Sequence, residues 1–146
     1  MLIERDQLCS LIPHDGDMCL LDAVAKWDES GISCVAKSHR DPSNPLRKNN
    51  RLNSVHLLEY GAQAMAVHGG LLGRMQENMR EPKFLVALRD AIFEVERIDT
   101  IEGDIEVEAN ALLNIDGGQI YEFNVFSAGQ ILCSARATVM SPKEKG

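Results

Sequence analysis

No two cysteines in this chain are spaced as C-x-x-C, and none of the four (Cys9, Cys19, Cys34, Cys133) has a neighbouring His that completes a metal-ligand spacing. Structural and catalytic metal sites are built from such clusters, so no metal site is expected. Thiols scattered this way read as reduced, mostly buried small residues of a cytoplasmic protein, not as a disulfide framework. The opening MLIERDQLCS mixes acidic and basic residues, with no apolar run of signal-peptide type and no lipidation motif. Positive charge is in deficit: 15 Lys and Arg against 22 Asp and Glu leave a net charge of −7. A nucleic-acid binder needs a basic face to neutralise phosphates, so that class of partner is set aside. No phosphate-cradling glycine loop followed by Lys-Ser/Thr is present, and no G-x-S-x-G. Nucleotide cofactors and a serine nucleophile are therefore not implied. Linkers, repeats and low-complexity stretches are missing too, apart from a short charged tail after Pro142.

What the chain has is one domain's worth of residues, 146 of them, with 45% hydrophobic and 25% charged side chains. That balance suits a folded globular core. Its most distinctive stretch is SVHLLEYGAQAMAVHGGLLGRMQ, residues 54–76, which predicts a helix apolar on nearly every side. Asn53 or Ser54 is a suitable N-cap. The stretch is about long enough for a membrane span. Gly61, Gly69, Gly70, Glu59, Gln63, His56 and His68 argue instead for a core helix, with no membrane span. With about 100° between successive residues, His56, Glu59 and Gln63 share one edge of this helix and Tyr60 lies beside them. A carboxylate inside a buried helix must be neutralised, hydrogen-bonded or used, which makes Glu59 the residue to explain.

Around the helix the pattern changes. Residues 4–12 suit a short amphipathic helix, with Leu8 and Leu11 or Ile12 facing inward. Residues 18–28 and 31–38 read as strands flanking the turn Asp28-Glu29-Ser30-Gly31. After an irregular segment with Pro42 and Pro45 comes the long helix, then a strand over 84–94. Ile105, Val107, Ala109, Ala111 and Leu113 alternate with Asp104, Glu106, Glu108 and Asn110, the period-two signature of a half-buried strand. Asp116-Gly117 is a hairpin turn signal, and 120–126 and 131–140 complete the strands. Antiparallel strands with a single long helix make an α+β protein of one domain, residues 1–146. A sheet can hide such a helix only by curling round it. That arrangement is the hot-dog fold: five to six antiparallel strands wrapped around one central helix.

Two segments carry a family resemblance. IPHDGDMCLLDAV, residues 12–24, is similar to the opening of bacterial 3-hydroxyacyl-acyl carrier protein dehydratases, with Pro13, His14, Met18, Leu20, Leu21, Asp22 and Val24 matching or nearly so. The helix VHLLEYGAQAMA resembles that family's V-L-I-L-E-A-M-A-Q-A, with Glu59, Ala62 and Gln63 in register, and FLVALRDAIFE resembles its strand after the helix. The branch most resembled is that of dehydratase-like hot-dog proteins beside polyketide-like or aryl-polyene acyl pathways. The resemblance implies elimination of water from a 3-hydroxyacyl thioester. One group takes the α-proton, another protonates the departing hydroxyl, and amides at the start of the central helix polarise the thioester carbonyl. Familiar members pair the helix carboxylate with a His in an H-F-P-G loop. Here the corresponding position is Pro45, and the loop NPLRKNNRLN holds no His.

The candidate site follows. Glu59 takes the family's carboxylate position, either as the acid–base group with a pKa raised by burial or as a satisfied structural carboxylate. His56, one turn earlier on the same edge, is either the catalytic replacement for the loop His or a hydrogen-bonded structural one. Gln63 is expected to orient Glu59, Tyr60 to donate to the same site or pack in the core, and His14 to pin the N-terminal segment or else take a part in the chemistry. His39 and His68 read as surface and packing residues. Arg47, Lys48 and Arg51 put three cations just before the helix. They form either a solvated loop or a docking point for an acidic carrier protein and its phosphopantetheine phosphate.

Three functions compete. The first is dehydration of a 3-hydroxyacyl group on acyl carrier protein or coenzyme A, with no cofactor beyond the phosphopantetheine that carries the substrate. The second is hydrolysis of an acyl thioester. The third is a non-catalytic acyl-binding or partner subunit. A sheet rolled round one helix leaves an open strand edge, which a continuous dimer sheet removes, so a homodimer or a multiple of dimers is expected.

Overall fold

The computed structural model describes residues 3–12, 18–75 and 84–140. Seven strands and two helices run in the order β1 (Ile3–Glu4), α1 (Arg5–Cys9), β2 (Ala23–Asp28), β3 (Gly31–Ala36), α2 (Leu57–Met75), β4 (Phe84–Phe93), β5 (Ile105–Ile115), β6 (Gly118–Ser127) and β7 (Gln130–Met140). All join one antiparallel sheet in the order β1-β2-β3-β5-β6-β7-β4. The strand count exceeds the expected five to six, because the two residues of β1 pair with Ala23 and Val24 and extend the edge.

Turn chemistry fixes the hairpins. Between β2 and β3 the Asp28 carboxylate accepts from the Ser30 amide and hydroxyl, each at 2.8 Å, and from the Gly31 amide at 3.0 Å. These donors hold its pKa below the usual carboxylate value. Between β5 and β6 the Asp116-Gly117 signal is realised, with Gly117 at φ 84°. Ala128 and Gly129 join β6 to β7 with φ of 51° and 78°, the mirror-image turn that matches strand twist. Register shifts interrupt the β2–β3, β4–β7, β5–β6 and β6–β7 pairings. Such bulges bend strands, and here they let the sheet curl over α2, which packs on β3, β5 and β6. This is the hot-dog arrangement.

The core lies between helix and sheet: Leu57, Tyr60, Ala64 and Val67 of α2 meet Cys34, Val107, Ala109, Phe123 and Val125 of the strands, all fully buried. The helix is not enclosed all round. Leu58, Glu59, Ala62, Ala66, Gly69 and Gly70 form a half-buried stripe. Among the described residues no strand pairs with the outer edge of β4, and its Leu85, Val86, Leu88, Ile92 and Phe93 are exposed. Among the described residues no helix is long and apolar enough to cross a membrane.

Two further sequence expectations are corrected by the fold. The cysteines are not all reduced: Cys9 and Cys19 form a disulfide, with Cα atoms 5.9 Å apart, because α1 lies against the segment leading into β2. Cys34 and Cys133 are the buried free thiols, and burial pushes them up to about 12 and about 11. The first long strand begins at Ala23, not at residue 18. The backbone of Met18 and Leu20 is bonded to a side chain of α2 in place of a strand neighbour.

Candidate active site at the start of the central helix

A 3-10 turn, Ser54–His56, leads into α2. Asn53 precedes it in extended conformation, in the expected cap position, yet its side chain makes no capping hydrogen bond. A neighbouring segment holds this entry instead. The Ser54 amide donates to the Glu96 carbonyl at 2.9 Å, the Ile98 amide to the Leu52 carbonyl at 2.8 Å, and the Leu52 amide to Asp99 Oδ1 at 2.9 Å. Asp99 is gripped by the Arg97 guanidinium through both carboxylate oxygens. That pairing holds its carboxyl well below the usual range. Sequence reading missed Asp99 and Arg97, since nothing local ties them to a residue 47 positions earlier.

Glu59 lies in the first turn of α2 and is half-buried, not fully buried as the apolar helix pattern suggested. The reason is the open stripe: Glu59 sits at its head, where the chain's own sheet does not reach. Its oxygen Oε2 accepts from Gln63 Nε2 at 3.2 Å. Gln63 is 1% exposed and spends its remaining capacity on the 18–20 backbone, with Nε2 donating to Met18 O at 2.7 Å and Oε1 accepting from Leu20 N at 2.8 Å. Its amide cannot rotate without breaking both backbone bonds, one of them fully buried, so the hydrogen it offers Glu59 comes from a fixed direction.

His56 is half-buried one turn before Glu59. It lines a groove of about 660 Å³ together with Pro45, Leu46, Arg47, Lys48, Asn49, Arg51 and Asn53. The basic cluster is a tight hairpin. Lys48 and Arg51 pair in antiparallel fashion, and Asn49 and Asn50 take φ of 54° and 62°, a conformation asparagine tolerates better than most residues. The three cations divide into two kinds. Arg47 is half-buried and serves the loop, donating to the His39 carbonyl at 3.0 Å and the Asn50 carbonyl at 3.3 Å. Lys48 and Arg51 are exposed at the two ends of the turn.

The other candidates lie elsewhere. Tyr60 is fully buried and turns to Ser38, with hydroxyl to Ser38 Oγ at 2.8 Å, while Ser38 Oγ donates to Leu20 O at 2.7 Å. The Tyr60 hydroxyl also accepts from Asn44 Nδ2 at 3.4 Å. It serves the core, and burial pushes its pKa up. His39 is not on the surface. It is fully buried, with Nε2 against the Ile101 carbonyl at 3.0 Å, and desolvation lowers its pKa. His68 is a buried packing residue that meets the Tyr121 hydroxyl at 2.6 Å and the Asp28 carbonyl at 2.8 Å. His14 lies outside the described residues.

One chain of a solved structure, the dehydratase heterocomplex ApeI:P from Xenorhabdus doucetiae, superposes with a TM-score of 0.82 at 21% identity, over 94% of this chain and 91% of that one. A putative thioesterase from Shewanella oneidensis matches at TM-score 0.64 and 13% identity, covering 94% of each chain. A hypothetical thioesterase from Streptococcus pneumoniae TIGR4, solved with coenzyme A, matches at 0.63 and 9% identity, over 84% of this chain and 90% of that one. At such identities these likenesses establish the fold. No curated protein is detectably similar in sequence. The ApeP-like family, described as ApeP dehydratase, has a sequence model that matches residues 7–146, nearly the whole chain, and the chain belongs to that family.

Proposed function

We propose that this protein dehydrates 3-hydroxyacyl thioesters presented on acyl carrier protein or coenzyme A. The observation that carries the reading is Glu59: a half-buried carboxylate, held by Gln63, one turn from a His that lines a cation-rimmed groove. Glu59 and His56 form the acid–base pair. One removes the α-proton, the other protonates the departing hydroxyl, and the products are a 2-enoyl thioester and water. The first-turn amides of α2 polarise the thioester carbonyl, so that charge developing on its oxygen meets fixed N–H donors. Lys48 and Arg51, with Arg47 bracing their turn, receive the phosphate of the phosphopantetheine arm and the acidic face of the carrier.

The working unit in this reading is a homodimer or a multiple of dimers. The apolar side chains exposed along β4 and the open stripe of α2 are surfaces that a second hot-dog chain would cover. The ApeI:P structure pairs two different proteins. That supports a second reading, in which this chain is one half of a mixed dehydratase and shows activity only beside another hot-dog subunit. Hydrolysis, suggested by the thioesterase likenesses, differs in its product.

The test is an ultraviolet assay with a 3-hydroxyacyl thioester, run with the wild type, Glu59→Ala and His56→Ala. Enoyl absorbance that falls at least a hundredfold in both variants is the expected result. Loss with Glu59→Ala alone leaves His56 structural. Free thiol without enoyl product means hydrolysis, and substrate binding without any product means the partner subunit. A sedimentation mass of one chain at micromolar concentration refutes the dimer.

A further inference from the structure

Cys19 sits between Met18 and Leu20, the two residues whose backbone groups Gln63 holds. Its disulfide to Cys9, across a sequence separation of 10, ties that segment to α1. Leu8 of α1 is fully buried in the core, and Arg5 adds a second tie, its Nη2 donating to the Cys19 carbonyl at 2.7 Å. Three links therefore run in series: Cys9 to Cys19 by a covalent bond, the 18–20 backbone to Gln63 by two hydrogen bonds, and Gln63 to Glu59 by a further one.

We propose that the Cys9–Cys19 disulfide is a redox-sensitive latch on the Gln63 clamp. Closed, it fixes the 18–20 backbone against α2 and keeps the Gln63 amide aimed at Glu59. Opened, it leaves that backbone with hydrogen bonds alone. The consequence for turnover rests on the reading of Glu59 as an acid–base group, and the mechanical coupling does not.

The chemistry is thiol–disulfide exchange with a small dithiol or glutathione. Cys9 is half-buried and Cys19 is 1% exposed, so an incoming thiolate attacks the Cys9 sulfur and Cys19 departs as a thiolate. A second thiol attacks the external sulfur of the mixed disulfide and releases Cys9. Two external thiols become one external disulfide, and the two cysteines take up the two electrons and two protons. Cys34 and Cys133 are buried and stay outside the exchange. The latch is therefore read without interference from them.

The full-length protein is equilibrated in oxidised or reduced glutathione, and the bond is scored by the disulfide-linked peptide mass. Exchange of the Leu20 amide and the Gln63 side-chain amide resonances are followed by NMR. Reduction is expected to speed Leu20 exchange at least tenfold and to shift the Gln63 amide signals. In active enzyme it should also lower kcat severalfold at unchanged KM. Cys9→Ser should behave like reduced wild type in both buffers. Should that variant fail to fold, reduced wild type supplies the same comparison. Identical Leu20 exchange in the two states, or no linked peptide in oxidised glutathione, overturns the latch. An unmoved kcat alongside a responsive Leu20 overturns its hold on Glu59. Shifted Gln63 signals with no turnover in either state uphold the latch and reject dehydration by this chain alone instead.

Discussion

A β-carbon placed on Gly61 would lie 2.4 Å from the ring of Phe123, so α2 rests on β6 with only a hydrogen between backbone and aromatic face. Gly61→Ala gains about 1 kcal/mol of helix propensity. It must also push a fully buried ring out of place, and overpacking of this kind costs about 1–3 kcal/mol. A net loss of stability is expected, seen as a lower urea midpoint. Adding Phe123→Leu should recover part of it. If the double variant were less stable than the sum of the two single changes, this contact would not be the cause.

Under the proposed function, the basic hairpin holds one structural cation, Arg47, and two docking cations, Lys48 and Arg51. Lys48→Ala with Arg51→Ala should raise KM for carrier-bound substrate several-fold while leaving a free pantetheine analogue little affected, since both side chains are exposed. The effect should fade as salt rises. Arg47→Ala should instead lower the melting temperature, because its guanidinium holds the His39 and Asn50 carbonyls. Equal KM changes for both substrates would remove the docking role.

Asp99 sets the acid limit of the helix entry. Arg97 depresses its carboxyl in the folded chain, whereas the unfolded value is about 3.9. A depressed folded pKa means stability that is complete above about pH 4 and drains away as pH falls below it. Asp99→Asn should be less stable than wild type at pH 7, and the gap should narrow progressively as pH falls below about 4. A gap independent of pH would show that the charge contributes nothing. Asp28 and Asp41 are also depressed, by their Ser30 and Ser43 donors, so the comparison must be made variant against wild type and not from the acid midpoint alone.

Ala128 occupies a left-handed position, φ 51°, in a turn whose second residue is Gly129. An alanine there is strained by about 1 kcal/mol relative to asparagine or glycine. Ala128→Asn should raise stability by about that amount, measured as a shift in denaturant midpoint. No gain would mean that the β6–β7 ladder, not the turn, dictates its conformation.

The elements whose burial is settled within a few neighbours were legible in the sequence. The alternation at Ile105, Val107 and Ala109 places all three in the core, and Asp116-Gly117 turns where its chemistry requires. Beyond Ala109 the same alternation misleads, because a register shift between Ala111 and Leu113 leaves Leu112 and Leu113 exposed. Glu59 and Gln63 were legible as a pair from their helical spacing, and the bond between them follows from it. The exposure of Glu59 was not, since an open stripe on a helix depends on how far the sheet curls. The Cys9–Cys19 bond and the Asp99 anchor were hidden for a similar reason: each joins segments that only the tertiary fold brings together.

The position of β4 has a consequence for the order in which the chain can fold. It leaves the ribosome directly after α2, but its neighbour in the sheet is β7, and β5 and β6 come between them in the chain. At ordinary synthesis rates that gap lasts seconds, during which Leu85, Val86, Leu88, Ile92 and Phe93 form an apolar strand with neither of its edges occupied. Sheet closure is thus a late, long-range event of the kind that folds slowly. Even when it is complete, β4 pairs with β7 alone among the described strands. Yield in the cell should therefore depend on chaperones that shield this strand until β7 has been made.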